Sequence, residues 1–212
     1  MQLLLTACLT WALLHTAESL RCHRCADQAC SNTTSVDCPA TSTACRTATS
    51  VMQTGSTISS TVVKSCSSLL NCTTPLTVET ELSVNRGFSR EAHTQLCCAT
   101  DNCNFQTLAV PSTSVNGKHC PSCSSLADSL AGSCSAALSC AGVENSCFNG
   151  TTPSGSTQAS LLGCMSRNLC FNLAAQASLL GSDARITCKA PWSVRVSAAL
   201  LTFGLTACKV LV

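Results

Sequence analysis

The sequence contains no tyrosine, and aromatic residues make up only 3% of its 212 residues. Charged residues are also scarce at 10%, with 12 Lys and Arg against 10 Asp and Glu and no run of either sign. Nucleic-acid binding needs a basic stripe and polybasic membrane binding needs a cluster of Lys and Arg, so both classes are excluded. Because interface hot spots are rich in Trp, Tyr and Arg, a very tight protein partner would have few anchors. The candidates are the arginines and Phe88, Phe105, Phe148 and Phe171.

The sequence also lacks a catalytic constellation. Serine and threonine are abundant, but no Gly-x-Ser-x-Gly nucleophile elbow occurs. His23, His93 and His119 have no spacing that is typical of a ligand pair or a catalytic triad. We therefore predict that the protein is not an enzyme and uses no cofactor or metal ion.

The N-terminal segment has the pattern of a secretory signal peptide. An apolar run from Leu3 to Leu14 is long enough for a signal-peptide core and too short for a stable membrane-spanning helix. The small residues Ala17 and Ser19 then stand at the −3 and −1 positions of a cleavage site. We expect residues 1–19 to be removed.

The C-terminal segment is apolar as well. Residues 196–212 (VSAALLTFGLTACKVLV) are interrupted only by Lys209. A hydrophobic stretch of this kind is typical of a glycosylphosphatidylinositol (GPI) attachment signal, here over residues 191–212, and is close to the length of a transmembrane helix. Both interpretations place the protein on the extracellular face of the plasma membrane.

Cysteine is the most informative residue, with 20 in the chain. When Cys8 and Cys208 in the two apolar ends are left out, an even number remains between Cys22 and Cys188. Such density in a small secreted chain predicts a disulfide framework that compensates for a limited hydrophobic core. In an oxidising compartment this interpretation outweighs zinc or redox roles for the Cys-x-x-Cys pairs.

The cysteines form two groups that open alike, with Cys-His-Arg-Cys at 22–25 and Cys-Pro-Ser-Cys at 120–123, about 98 residues apart. Residues 105–118 between them lack cysteine, are rich in Pro, Ser, Thr and Gly, and predict a linker. We expect two copies of one domain type, residues 20–104 with ten cysteines and residues 119–190 with eight. Since no bridge need cross the linker, each domain is expected to fold without the other.

Periodicity favours a small, disulfide-rich, all-β fold. The segments Thr57–Lys64 and Leu76–Val84 are rich in Thr and Val with partial alternation, which predicts strands. Turn residues at Met52–Ser56 and Asn85–Gly87 indicate hairpins. Helical periodicity is concentrated in Leu173–Leu180, which favours a short helix in the second domain.

Two motifs carry a resemblance to a known family. The opening Leu20-Arg21-Cys22-x-x-Cys25 and the closing CCATDNCN of residues 97–104 resemble the urokinase-receptor/lymphocyte-antigen (LU) domain. That domain has the three-finger fold of the snake neurotoxins, so the resemblance implies two tandem three-finger domains. It covers residues 20–104 fully and residues 120–188 in reduced form. The tandem arrangement is similar to two-domain urokinase-receptor-like surface proteins and to the secretory phospholipase inhibitors.

Cysteine positions alone leave the connectivity open, but the resemblance implies a pattern. It pairs Cys22–Cys45, Cys25–Cys30, Cys38–Cys66, Cys72–Cys97 and Cys98–Cys103 in the first domain, and Cys120–Cys147, Cys123–Cys134, Cys140–Cys164 and Cys170–Cys188 in the second. It also implies that Asn104 ties the chain end into the palm of the fold. The second domain has no such Asn and no fifth bridge.

Three sequons predict glycosylation of Asn32, Asn71 and Asn149. The sequon of Asn71 is the least favourable, because its middle residue is Cys72, which is committed to a bridge. Lipid attachment at Gly181 or Ser182 would satisfy the usual spacing before an apolar tail but would discard Cys188. We therefore expect attachment between Lys189 and Ser193.

The resemblance implies a cell-surface binding protein without catalytic activity. Its lipid anchor would lie in the outer membrane leaflet, and its partner would be an extracellular protein that the sequence does not identify. The alternative is a secreted inhibitor similar to the phospholipase inhibitors, for which the apolar segment 196–212 would have no purpose. No nucleic-acid partner is expected.

Overall fold

The computed structural model describes residues 19–27, 29–72 and 75–189. The signal-peptide prediction up to residue 18 and the tail predicted over 191–212 lie outside the described residues. The described part contains three short helices, α1 (Leu126–Ala131), α2 (Arg167–Cys170) and α3 (Leu173–Leu180), and a 3₁₀ turn at Leu69–Asn71. Its strands are β1 (Arg21–Cys25), β2 (Thr33–Asp37), β3 (Ala44–Thr54), β4 (Thr57–Ser67), β5 (Thr80–Asn85), β6 (Ser89–Cys98), β7 (Val115–Ser122), β8 (Ala136–Ala141), β9 (Ser146–Ser154), β10 (Thr157–Met165) and β11 (Arg185–Lys189).

The strands form one large sheet and two small ones. The large sheet has seven strands in the order β11-β9-β10-β5-β6-β3-β4, and all of its pairings are antiparallel. The two small sheets are the hairpin-like pairs β1–β2 and β7–β8. This is the small, disulfide-rich, all-β fold that the sequence predicts, with two three-finger domains.

The long hairpins follow the predicted strand and turn signals. β3 and β4 are rich in Thr and Val, which suit a pleated surface, and their register runs from Ala44↔Ser67 to Thr54↔Thr57. The turn is therefore confined to two residues, and Gly55 adopts the positive φ (+58°) that such turns require. β5 begins at Thr80, because the chain from Leu76 to Glu79 makes a turn before it enters the sheet. The helix favoured by periodicity is present as α3.

The two domains meet at the centre of the large sheet. β5 of domain one (residues 20–104) pairs with β10 of domain two (residues 119–190) through Val84↔Met165 and Asn85↔Cys164. Ser166 adds a bond in each direction, since its N–H donates to the Ser83 carbonyl (2.9 Å) and its Oγ accepts from the Ser83 N–H (3.2 Å). One sheet therefore runs through both domains.

The largest hydrophobic core lies at this junction. Leu82 and Val84 of β5 are at most 1% exposed and pack among apolar side chains of domain two. Those partners are Phe148, Leu161, Met165, Leu169, Ala175, Leu179 and Leu180. Elsewhere the buried clusters consist mainly of cystine, one in each domain. Domain two thus completes its apolar core with a strand of domain one.

Close backbone approach at the junction requires glycine. A Cβ at Gly163 in β10 would lie 1.9 Å from the Asn85 carbonyl oxygen. At Gly87, where φ is +91°, a Cβ would lie 2.5 Å from the Cys123 carbonyl oxygen. No side chain can be accommodated at such distances unless the two backbones separate.

The segment predicted as a linker is packed rather than free along much of its length. The Phe105 carbonyl accepts from the Lys64 Nζ, and the Leu108 carbonyl accepts from the Thr49 hydroxyl at 2.9 Å. Leu108 itself is buried, and β7 already begins at Val115. The expectation that the domains fold independently rested on the absence of cysteines between 105 and 118. The shared core shows that apolar contacts can join domains that no disulfide joins.

Candidate binding surface

Disulfides form the base of each domain. Nine bridges lie among the described residues, and their partners are those that the resemblance implies. Cys45 and Cys66 stand opposite each other at the base of the β3–β4 hairpin and join two different bridges. The hairpin is therefore anchored covalently at both legs, which leaves its tip to project as a finger.

Neighbouring bridges stack against one another. The sulfur atoms of Cys22, Cys38 and Cys66 lie within 4.8 Å of one another, as do those of a corresponding trio in domain two, Cys120, Cys140 and Cys164. Three sulfurs at this spacing could suggest a metal site. Every one of them is bonded in a disulfide, however, and a metal requires the free thiolate.

Asn104 closes domain one. Its side chain is fully buried, accepts from the His23 N–H at 2.8 Å and donates to the carbonyls of His23 (2.9 Å) and Arg46 (3.2 Å). The amide therefore joins β1 to β3 at the end of the domain. Domain two ends instead in β11, which pairs with β9 and is tied by Cys188 to Cys170.

A broad concave surface of domain one lies between its first and second fingers. This groove, of about 780 Å³, is lined on one side by residues 24–27 and on the other by Thr61–Ser65 of β4. Val63 is 44% exposed at its wall, and further along the same finger Met52 and Ile58 are more than half exposed. Met52, which pairs with Ser59, is on the same face of the hairpin as Val63, whereas Ile58 is on the opposite face. Exposed apolar side chains beside a rigid disulfide base are suited to contact another protein.

The groove carries charges of both signs. Arg24 and Asp27 are exposed on the finger-one side. The backbone N–H of Ser31, together with those of its neighbours, lowers the pKa of the Asp27 carboxyl below its ordinary value. On the opposite wall, burial lowers the pKa of the Lys64 ammonium, which donates to the Phe105 carbonyl. The groove therefore offers one cation and one carboxylate to a ligand, while Lys64 is used internally.

Comparison with protein families identifies the two disulfide-based domains. The sequence profile of the u-PAR/Ly-6 domain matches residues 18–106 and again residues 116–192. The chain belongs to the u-PAR/Ly-6 domain family. Proteins built from u-PAR/Ly-6 domains are extracellular, either secreted or lipid-anchored, and are generally binding proteins without catalytic activity.

Individual relatives add little to the u-PAR/Ly-6 assignment. No curated protein sequence matches the chain significantly. Among solved structures, the crystal structure of mouse TEX101 is similar at 17% identity and a TM-score of 0.28, covering 74% of this chain and 85% of that one. A TM-score this low says nothing about how two u-PAR/Ly-6 domains are arranged.

The candidate histidines and phenylalanines are dispersed over the two u-PAR/Ly-6 domains. His23, His93 and His119 lie on β1, β6 and β7, three different strands. Burial, with a smaller effect of the Arg46 charge, lowers the pKa of His93 to about 4, so this side chain is neutral at physiological pH. Phe148 is core, Phe88 is half-buried, and Phe105 and Phe171 are 69% and 76% exposed.

The three sequons occupy exposed positions on the u-PAR/Ly-6 domains. Asn32 precedes β2, Asn71 ends the 3₁₀ turn, and Asn149 lies on β9, each with an exposed side chain. Thr73 of the second sequon is outside the described residues. Glycosylation at all three positions remains a prediction.

Sequence reasoning missed a buried polar network between the u-PAR/Ly-6 domains. Glu144 of domain two is fully buried, and its Oε1 accepts from the Arg90 Nε at 2.5 Å and from the Ser83 hydroxyl at 2.6 Å. Its Oε2 accepts from the Ala141 N–H at 2.9 Å. A second Arg90 nitrogen, Nη2, donates to the Ser112 carbonyl at 2.8 Å. Arg90 therefore links domain one to both the connecting segment and domain two.

Glu81 brings a further carboxyl close to this ion pair. Burial and the Glu144 charge raise the pKa of Glu81, while Arg90 acts in the opposite direction. Arg86 reaches across the same junction and donates to the Leu179 carbonyl at 2.8 Å, near the C-terminal end of α3. Nothing in the spacing of these charged residues indicates burial, since isolated Arg and Glu residues are ordinarily solvent-exposed.

Proposed function

We propose that the protein is a cell-surface recognition protein that binds an extracellular protein ligand in the groove between fingers one and two of domain one. The observation that carries this proposal is the groove itself. It joins the exposed Val63 to the opposite charges of Arg24 and Asp27 on a disulfide-braced base. Membership of a family of extracellular binding proteins supports the same conclusion.

A variant pair tests the groove. Val63→Asp places a carboxylate on its wall, whereas Val110→Asp does the same at a position that is 61% exposed and lies outside the groove lining. Tagged protein is applied to a panel of cell types, and bound protein is measured by flow cytometry. Staining that Val63→Asp abolishes and Val110→Asp preserves supports the groove. Equal staining by the two variants would move the binding surface elsewhere.

We also propose that a GPI lipid holds the protein at the outer face of the plasma membrane, with attachment between Lys189 and Ser193. In the part of the chain that the structure covers, none of the helices has the length and apolar character needed to cross a membrane. The apolar segment 196–212 lies beyond that part and supports the anchor. Attachment at Gly181 or Ser182 would remove β11, whose Ile186 packs on the shared core and whose Cys188 is bridged to Cys170.

Enzymatic release tests the anchor. Cells that express the full chain are treated with phosphatidylinositol-specific phospholipase C, and the protein in the medium is measured together with its partition into a detergent phase. Release with a shift to the aqueous phase is the expected result. Constitutive secretion without treatment would favour the soluble inhibitor, and retention after treatment would favour a transmembrane anchor. Mass spectrometry of the C-terminal peptide identifies the attachment residue.

A further inference from the structure

Two large apolar side chains stand almost fully in solvent where α2 gives way to α3. Phe171 is 76% exposed and Leu173 is 80% exposed. Asn172 between them is the N-cap of α3, and its side chain accepts from the Ala175 N–H at 3.0 Å. Because the cap fixes the backbone at this point, both apolar side chains belong to a defined surface rather than to a loose loop.

This surface is tied covalently to the place where the described chain ends. Cys170, next to Phe171, is bridged to Cys188, and their Cα atoms are 5.9 Å apart. Cys188 precedes Lys189, the last described residue. Phe171 therefore lies beside the exit of the chain toward the apolar segment that begins at Val196. The proposed attachment site lies no further along the chain than Ser193, so at most four peptide units separate it from Lys189, and these span at most about 14 Å when fully extended.

The chain segment that carries this surface has a net positive charge. Residues 167–189 contain Arg167, Arg185 and Lys189 against the single acidic residue Asp183. The Arg167 guanidinium lies over the Phe171 ring, 5.9 Å from its centroid, and Arg185 is exposed on β11. Exposed Phe171 and Leu173 beside the Arg167 guanidinium match the chemistry of a lipid headgroup layer, which presents phosphates above acyl chains.

We propose that Phe171 and Leu173 form a membrane-contacting patch that rests on the outer leaflet beside the anchor. The patch rests on the proposed membrane attachment. A peptide tether of at most about 14 Å, joined to the glycan of the anchor, holds it near the bilayer continuously, so even a weak apolar contact is populated at the high effective concentration that a short tether creates. Domain two then lies against the lipid. The groove of domain one is lined by β4, the edge of the large sheet opposite to β11, and is therefore kept away from the lipid.

Other exposed apolar residues lack this combination. Phe105 is 69% exposed but lies between the domains, and its backbone carbonyl accepts from Lys64 of domain one. Leu70 is 88% exposed, yet it precedes Asn71, which is a predicted glycosylation site. Neither is bridged to the chain exit. Phe105 is therefore a matched control for Phe171, since it is the same residue type at nearly the same exposure.

Quenching by brominated lipid tests the patch. Full-length protein is extracted from expressing cells and reconstituted into vesicles of phosphatidylcholine with brominated acyl chains. Tryptophan emission is then compared for the wild type, Phe171→Trp and Phe105→Trp. Because both substitutions are at exposed positions, folding should be unaffected, and disulfide mapping checks this. We expect at least about twofold quenching and a blue shift of the added emission for Phe171→Trp, as for an indole at the interface, and no change for Phe105→Trp.

Each alternative outcome has a distinct meaning. If the protein partitions into detergent but brominated lipid does not quench the emission added by either new tryptophan, the anchor is correct and the patch is wrong. If emission of the Phe171→Trp variant shifts with protein concentration and not with brominated lipid, a second copy covers the surface and the proposal is overturned. If the protein is not anchored, brominated vesicles are added to the soluble variants, and quenching then shows whether the patch contacts lipid. Selective quenching of Phe171→Trp supports the patch without the anchor, and its absence rejects both.

Discussion

The two domains share an arrangement of bridges but differ in how each is completed. Domain one has five disulfides, the last between Cys98 and Cys103, and ends with Asn104 bonded inside its own palm. Domain two has four disulfides, and its apolar core takes in Leu82 and Val84 from β5 of domain one. Domain one is closed by its own residues, whereas the core of domain two is completed by strand β5 of domain one.

This difference shows that a disulfide framework alone does not make a small domain self-sufficient. A domain of this size buries a limited fraction of its surface, so the loss of two core side chains matters. Domain two also gives Glu144 to a buried ion pair whose cation comes from domain one. The dependence should therefore be asymmetric, and each of the following experiments tests or refines it.

The largest effect is expected when the domains are separated. Residues 20–104 expressed behind a signal peptide should be secreted with five correct bridges. Residues 105–212 should be retained or mispaired, because Phe148, Met165 and Leu169 lose their partners on β5. Secretion and disulfide mapping by mass spectrometry measure the outcome. Efficient secretion of residues 105–212 with four native bridges would disprove the dependence.

Breaking the buried ion pair between Arg90 and Glu144 should have the second-largest effect on stability. Arg90→Met leaves the Glu144 carboxylate buried without its cation, which is expected to cost about 3–5 kcal/mol of stability. The double variant Arg90→Met with Glu144→Leu removes both charges and should recover much of that loss. Chemical denaturation followed by circular dichroism gives both values. A double variant as unstable as the single one would mean that the hydrogen bonds of Glu144 matter more than its charge.

Crowding the β5–β10 junction should have a slightly smaller effect. Gly163→Ala places a methyl group against the Asn85 carbonyl, and overpacking costs about 1–3 kcal/mol, here toward the upper end because backbone is the neighbour. Gly155→Ala is the control, since a Cβ there meets nothing within 4 Å and only its positive φ opposes it. Limited proteolysis should expose domain two in Gly163→Ala alone. Equal protection of both variants would show that the junction is adaptable.

Domain one can be opened selectively at Asn104. Asn104→Ala removes the partners of the His23 N–H and of two carbonyls, and an unsatisfied buried group costs about 1–3 kcal/mol. Because the hydrogen bonds described for the Asn104 side chain join it to backbone groups of β1 and β3 in domain one, domain two should keep its hydrogen-exchange protection near Met165. Loss of protection in both domains would show that closure of domain one is also required by domain two.

A pH dependence within domain one should be negligible near neutral pH and develop gradually below pH 6.5. Since the pKa of His93 is lowered to about 4 from 6.5, the unfolded chain gains a proton below pH 6.5 that the folded chain does not bind until near pH 4. Stability should therefore fall as the pH decreases through that window, by up to about 1.4 kcal/mol per pH unit. The raised pKa values of Glu81 and Glu91 act in the opposite sense, because the unfolded carboxyls ionise first as the pH rises. Thermal melts of His93→Gln against wild type isolate the histidine, with the exposed His119→Gln as control.

The sequence was sufficient for features that depend on local pattern. Cysteine spacing predicted two domains, apolar periodicity predicted α3, and the position of Asn104 after Cys103 indicated its closing role through a family resemblance. The groove and the junction could not be predicted in this way. Whether Val84 pairs with Met165, or whether Glu144 meets Arg90, depends on how the two domains dock. The charged residues Glu144 and Arg90 are also of types that are usually solvent-exposed, so their sequence gives no sign of burial.

The position of Cys188 has a mechanical consequence. Any pull on the chain beyond Lys189 acts first on β11, which is held to β9 by pairing over five residues. A strand loaded at its end would normally unzip one hydrogen bond at a time. Here the bridge from Cys188 to Cys170 carries the load into α2 and the core before the second residue can peel away. Under a pulling force, the base of domain two would therefore yield only when the packing of α2 on the core gives way, and not by gradual unzipping of β11.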